Sequence, residues 1–307
     1  MITQDRIHKA ASFRQRLLNL AKAEGRVFNH LLQFYAMERF LFRLSQSPHS
    51  RFFVLKGGLM FRIWHGASAR PTMDIDLLAR ADNEPEAIAL IFRDICGTSC
   101  EEDGMHFDAE SLAAIRIKED ARYSGVRLNF LGYLGTARVP MQIDLGFDDI
   151  IHPQAEDISL PVLLPLPAPI LAGYSKESVI AEKYEAMTQL GLLNTRMKDF
   201  YDLWHLSRNF AFTGDRLAGA IAKTFGHRGT LLSATPSAFS HEFANGKQVL
   251  WRSFRARIAD QQSPAELQQI TDDLQGFLIP ITAALLDTTP VPAHWPAGGP
   301  WGAMGIS

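Results

Sequence analysis

Cysteine is nearly missing from this sequence. Cys96 and Cys100 are its only two, four apart in a segment of helical character, and no nearby Cys or His completes a zinc set. Two reduced core thiols are expected, and neither a disulfide framework nor a structural zinc site can organise the fold. Long apolar runs are also missing. No stretch of about 18 apolar residues occurs, so no membrane span is expected. The opening MITQDRIHKAASFRQRLLNLAKAEG has no signal-peptide core, and a cytoplasmic protein is the expectation. Neither sign of charge dominates: 31 Lys and Arg stand against 33 Asp and Glu, a formal net charge of -2. A strongly basic nucleic-acid binder is thereby disfavoured, although a local basic patch is not. No Gly-Lys-Ser/Thr closes a glycine turn, so there is no Walker A loop. No His-Arg-Asp or Asp-Phe-Gly set is present, which argues against a protein kinase.

Apolar residues make up 47% of the 307 residues, enough for one large domain or two of ordinary size. Residues 4–45 read as two helices, with Phe28, Leu31, Leu32, Tyr35, Phe40 and Leu41 at helical spacing. A short strand at 51–55 breaks at Gly57-Gly58, a helix follows over 59–65, and 73–79 is the next strand. NEPEAIALIFRDICG predicts a helix with Pro85 in its first turn and Gly97 at its end. Three strands are expected near 112–118, 124–131 and 138–146. The proline-rich IHPQAEDISLPVLLPLPAPILAGYS reads as a strand fragment and linker. Helices dominate from Lys176 to about Leu286, and the Pro/Gly-rich tail is expected to be irregular, with two tryptophans to pack. The expected organisation is an α/β domain with N-terminal helices over 1–165, a helical domain over 166–290 and a tail over 291–307.

One stretch, FVLKGGLMFRIWHGASARPTMDIDLL, places Asp74 and Asp76 inside an apolar strand. Residues i and i+2 share a strand face. Thr72, Asp74 and Asp76 therefore lie together, and Met73, Ile75 and Leu77 are expected to point into a core. Two part-buried like charges need a cationic partner, and Mg²⁺, held by carboxylates and substrate phosphates, suits them. VPMQIDLGF supplies a third acid: Val139, Met141, Ile143 and Leu145 share one face, Gln142 and Asp144 the other. Three such carboxylates can hold two metal ions across a phosphoryl displacement. The alternatives are a strand end facing water for the pair and an exposed edge position for Asp144. Gly57-Gly58, following a strand and opening a helix, would bring backbone N–H groups to a phosphate.

Two later helices carry charge where apolar residues belong. Over 179–190, Val179, Ile180, Tyr184, Ala186, Met187 and Leu190 fill one arc, and Glu182, Glu185, Thr188 and Gln189 the other. Lys183 falls inside the apolar arc, about 40° from Val179. It must snorkel outward or meet an anion. In RMKDFYDLWHL, Asp199 and Arg196 fall within the arc of Phe200, Leu203, Trp204 and Leu206. Lys198 and Asp202 fall on the polar side, where an i,i+4 ion pair is expected. A buried salt bridge of Asp199 with Arg196 or Lys183 competes with a role in a site. KTFGHRGT adds a modest basic cluster, Lys223, His227 and Arg228, read as a solvated loop ahead of an RNA contact.

Together FVLKGGLMFRIWHG…RPTMDIDLL, QIDLGF, SVIAEKYEAM and RMKDFYDLWHL resemble the AbiEii/AbiGii toxin nucleotidyltransferases, which include the mycobacterial MenT toxins and belong to the DNA polymerase β-like superfamily. The order and spacing are similar over roughly 28–210, and LIPI…W…GGPW is similar near the end. The resemblance implies an α+β fold: a nucleotidyltransferase-like mixed sheet flanked by helices, then a C-terminal helical domain. It implies Asp74, Asp76, Lys183 and Asp199 as catalytic residues. Lys56, Gly57, Gly58, Arg70, Arg196 and Asp202 would bind nucleotide, and Asp74, Asp76 and Asp144 metal. Gly58 stands where many relatives have serine, which removes a hydroxyl but leaves the backbone donors. The implied reaction transfers a nucleoside monophosphate from an NTP, with Mg²⁺ or Mn²⁺, to an acceptor hydroxyl such as the tRNA 3′ end. The implied partner is an antitoxin, often with a winged-helix domain. A glycosyltransferase using Asp-x-Asp and a non-catalytic nucleotide-binding module are the competing readings.

Overall fold

The computed structural model describes residues 4–66, 70–100, 103–120, 123–258 and 260–302 of the chain. It divides into two units, one of residues 1–149 and 155–174, the other of 150–154 and 175–307.

The first unit is a mixed sheet with helices. Its helices are α1 (Gln4–Ala23), α2 (Phe28–Gln46), α3 (Gly58–His65) and α4 (Pro85–Gly97). Its strands are β1 (Phe53–Lys56), β2 (Ile75–Ala79), β3 (Met105–Asp120), β4 (Tyr123–Leu134), β5 (Ala137–Gly146), β6 (Glu156–Ser159) and β7 (Ile170–Gly173). Their spatial order is β3-β4-β5-β2-β1-β7-β6. β2 runs parallel to β5 and antiparallel to β1, and β1 runs parallel to β7. The proline-rich segment thus contributes two strands, more than a strand fragment. β3 begins ahead of the apolar run because it is an edge strand, where one face can stay polar.

α2 is the central helix of this unit. Phe40 on it packs against Phe92, Phe107 and Phe130, with centroids 6.0, 5.3 and 5.1 Å away. A helix buried on most sides must partner its polar residues internally. Arg43 forms a buried ion pair with Asp103 at 2.7 Å. The Tyr35 hydroxyl donates to the Asp103 carbonyl at 2.7 Å. Glu38 accepts from the Leu163 amide and lies 3.0 Å from Arg39. Cys96 is buried in α4, Cys100 lies beyond the end of that helix, and both are free. Burial lifts their thiols, to about 12 and about 11.

The second unit is helical: α5 (Lys176–Leu190), α6 (Met197–Asn209), α7 (Gly214–Arg228), α8 (His241–Ile258) and α9 (Leu267–Asp287). The Ser175 hydroxyl caps α5 by accepting from the Ser178 amide. Tyr184 stacks near Phe225 and Phe239 and shares a hydrogen bond with Thr282. α5 is buried on more sides than one apolar arc, which overturns the expected polar position of Glu185. That carboxylate is 1% exposed and is held by Arg228 at 2.8 Å and Thr230 at 2.5 Å. Arg228 therefore points inward, and Lys223 bonds His152 at 3.1 Å, so the basic cluster is neither a loop nor a free patch. In the tail, β9 (His294–Trp295) pairs with β8 (Phe212–Thr213), and Trp295 and Trp301 both pack on Phe277.

Among the described residues no helix is long and apolar enough to cross a membrane. Burial raises the Glu38 carboxyl from 4.5 to about 7, against the opposing pull of Arg39. The folded chain then binds more protons than the unfolded chain between these values, so this contribution to stability is full below pH 4.5 and is lost as pH rises to about 7. The melting midpoint should fall across that window, and Glu38→Gln should flatten the slope. Parallel pH–melting curves for the two proteins check this.

Candidate active site

The sheet explains how two acids fit an apolar strand. Registered residues on neighbouring strands share a face. Asp76 on β2 is registered with Asp144 on β5 and with Lys56 on β1. Asp144 is registered in turn with Arg127 on β4. Four adjacent strands thus carry a row of cation, anion, anion, cation. Asp74, just before β2, brings a third carboxylate. One oxygen from each of Asp74, Asp76 and Asp144 lies within 4.8 Å of the others.

Each end of the row is anchored. Arg127 grips Asp144 in a bidentate pair, Nε to Oδ1 and Nη2 to Oδ2, both at 2.7 Å. That hydrogen bonding raises the Arg127 pKa against the effect of burial, and the charges of Asp144, Asp74 and Asp76 raise it further. Asp144 is buried between β4 and β2, so the exposed-edge alternative is excluded. Lys56 is also buried, with Nζ on Asp149 Oδ2 at 2.6 Å and 5.9 Å from the Tyr174 ring centroid. Met73 departs from expectation: it precedes β2 and is 48% exposed, because the chain is not yet in the strand.

The glycine turn is fitted to these acids. Gly57 has φ 70° and ψ -146°, a conformation open mainly to glycine. A Cβ there would lie 1.9 Å from Asp76 Oδ2. A Cβ on Gly58 would lie 2.6 Å from Thr72 Oγ1, and that hydroxyl donates to Asp74 Oδ1 at 2.7 Å. Both glycines therefore let the turn close onto the carboxylate strand. α3 begins at Gly58 with no acid in its first turn and no side-chain cap, which leaves its N–H groups and positive end for an anion. Arg70 lies 5.8 Å from the Phe61 ring centroid and lines a cavity of about 230 Å³ beside Gly58 and Thr72. Gln33, buried on α2, donates to the carbonyls of Met73 at 3.3 Å and Pro140 at 3.0 Å. It clasps the chain entering β2 to β5. Gln33, Arg127 and Asp149 were not singled out by sequence reasoning, because their meaning depends on strand pairing.

In the second unit, Lys183 Nζ meets Asp199 Oδ1 at 2.5 Å and Asp202 Oδ2 at 3.0 Å. Arg196 Nε reaches Asp199 Oδ2 at 3.0 Å. The structure brings together the lysine, the arginine and both aspartates. The buried salt bridge named as a competitor is present. Asp202 is fully buried on Lys183, so its expected pairing with Lys198 on a polar face does not hold, and Lys198 is exposed. Burial lowers the His205 pKa, and the nearby charges of Asp202 and Asp260 raise it.

Three convergent carboxylates form an all-oxygen donor set, which fits a hard divalent cation. A carboxylate carries about four lone-pair sites, so Asp144 can accept Arg127 and still offer a ligand. Such a set beside a strand–Gly-Gly–helix turn defines a site of the nucleotidyltransferase class. The profile described as nucleotidyl transferase AbiEii toxin, type IV toxin–antitoxin system, matches residues 39–281, and the chain belongs to this family. The family brings an NTP as substrate and an antitoxin as partner. No curated protein matches the chain. Two solved Helicobacter pylori structures are similar. JHP933 has a TM-score of 0.45 at 13% identity, over 84% of this chain and 97% of that one. The other, proposed to be a nucleotidyltransferase, has a TM-score of 0.45 at 14% identity, over 85% and 97%.

Gly57→Ala should lower the melting midpoint by roughly 5–10 °C, since the added methyl meets Asp76 at a positive φ. Gly58→Ala should cost less, because Gly58 has no positive φ and its contact with Thr72 is less close; equal losses would contradict the close-approach account. Arg127→Met should lower the midpoint in chelator and make the protein more responsive to added Mg²⁺. Melting curves with and without the ion measure both effects.

Proposed function

We propose that the chain transfers a nucleoside monophosphate from an NTP to a hydroxyl of an RNA acceptor, the tRNA 3′ end, with Mg²⁺ and release of pyrophosphate. The observation that carries this is the registered carboxylate group, Asp74, Asp76 and Asp144, closed over by the Gly57-Gly58 turn. These three aspartates would hold Mg²⁺, or Mn²⁺ in its place. When bound, the ion supplies charge stabilisation at the α-phosphate and the leaving pyrophosphate, and a lowered pKa for the acceptor hydroxyl.

The chain's own residues have separate tasks in this reading. The N–H groups at Gly57-Gly58 bind the β- and γ-phosphate oxygens, helped by the positive end of α3. Thr72 and Gln33 orient the Asp74 segment. Arg127 neutralises part of the cluster's charge while no substrate is present. Lys56 takes a supporting part: its bond to Asp149 fixes the strand end before the turn. Arg70 offsets triphosphate charge. The family resemblance gives Lys183 the role of cation in the reaction, and Asp199 and Asp202 are its ion-pair partners. Arg196 steadies Asp199. The family's antitoxin neutralises this activity, and we assign it a winged-helix domain. The chain acts in the cytoplasm, where NTPs and tRNA are found.

Incubation of the protein with total RNA, Mg²⁺ and each α-labelled NTP in turn should label a discrete RNA band. Chelator should abolish the signal. Asp74→Ala with Asp76→Ala should lower it at least about a hundredfold, and Lys183→Ala about tenfold or more. Unchanged labelling by the double variant would sink the proposal.

A further inference from the structure

The cavity beside Gly58 holds more positive charge than the transfer reaction uses. About 230 Å³ in volume, it is lined by Arg26, His30, Arg62 and Arg70 together with Gly58 and Thr72, and among the described residues no carboxylate lines it. Arg62 is the inner member. Its guanidinium lies 4.7 Å from the Phe34 ring centroid and donates from Nη1 to the Gly66 carbonyl at 3.1 Å, while its Nε is buried without a hydrogen-bond partner. Burial, and then the charge of Arg26, lower the Arg62 pKa against the opposing pull of Glu24 and Glu38, neither of which lines the cavity. Arg26 pairs with Glu24 at 2.9 Å, a residue that is exposed and outside the lining. Cations confined in this way repel one another, and an anion among them relieves the repulsion.

Two helices also begin at this cavity. Val27, the N-cap of α2, and Gly58, the first residue of α3, both line it. Neither helix has an acid in its first turn or a side-chain cap; the positive end of α3 is shared with the triphosphate, and that of α2 is left for the cavity.

Size and mouth narrow the ligand. The volume is below the roughly 300 Å³ where pockets for whole small molecules begin, so a phosphate fits and a nucleoside does not. Val27, His30 and Pro71 at the rim are exposed, which leaves room for a strand to pass outside while one phosphate enters. The missing Cβ of Gly57 faces Asp76, and that of Gly58 faces Thr72. Gly58 and Thr72 line the cavity, and among the described residues none of Asp74, Asp76 and Asp144 does, so the triphosphate held at those acids leaves the cavity itself open.

We propose that this cavity seats a phosphodiester of the acceptor RNA strand, with Arg62 and Arg26 as its principal contacts. The naming of the strand as RNA rests on the proposed function. Binding can be measured without turnover, so the two ideas fail separately. The probe is a fluorescein-labelled single-stranded RNA dodecamer ending in CCA, titrated with the full chain in chelator and followed by anisotropy at several salt concentrations. Binding of a fluorescent ATP analogue with Mg²⁺ is measured in parallel. Arg62→Gln and, at the mouth, Arg26→Gln should each raise the RNA Kd about five- to tenfold and reduce the log Kd against log salt slope by about 0.7, one single-strand phosphate's share. Analogue binding should not change. Unaltered RNA affinity in Arg26→Gln with a wild-type melting curve would overturn the proposal. So would undetectable RNA binding by the unmodified chain, or a parallel loss of analogue affinity, which would give the cavity to the triphosphate.

Discussion

Asp76 is registered with a second carboxylate on one side and a lysine on the other, in the middle of a sheet. Like charges at that spacing are tolerated only where cations and hydrogen-bond donors are fixed around them. The first unit supplies these from separate parts of the chain. β4 contributes Arg127, α2 contributes Gln33, the segment before β2 contributes Thr72, and the turn at Gly57 gives up its side chain so that Asp76 can come close. Much of what looks like ordinary scaffold is there to hold three negative groups together.

The second unit solves a similar problem differently. Lys183, Arg196, Asp199 and Asp202 pair in a compact group around two buried aspartates, with Arg196 at its half-exposed edge. Glu185, nearby on the same helix, makes a separate buried set with Arg228 and Thr230. α5 therefore has a charged interior on more than one side, which is unusual for a helix of its length and explains why a two-sided wheel misdescribed it.

Sequence reading worked where local period decides the outcome. Asp74 and Asp76 could be paired because strand alternation is rigid, and Lys183 could be singled out because an apolar arc is easy to draw. It failed where the deciding fact is which element lies next door. Asp202 looked solvated because Lys198 was its neighbour on the wheel, yet its partner is Lys183 on another helix. Arg127 gave no signal, since nothing in VRLNF says which strand it will face. Met73 was misplaced because alternation was extended two residues before the strand starts. The edge strand β3 was clipped because it was read from its later apolar run, although Met105, His106, Phe107 and Asp108 already alternate apolar and polar.

The parallel register of β2 and β5 makes this cluster an all-or-none device with respect to chain length. A point substitution at Asp144 or Asp76 removes one carboxylate and leaves the others facing the same way. A single residue inserted or deleted within β2 or β5 rotates the whole strand by one position and sends its carboxylate into the apolar layer on the opposite face. Drift in sequence can therefore alter this centre by degrees, whereas drift in length between residues 75 and 79, or along β5, abolishes it in one step.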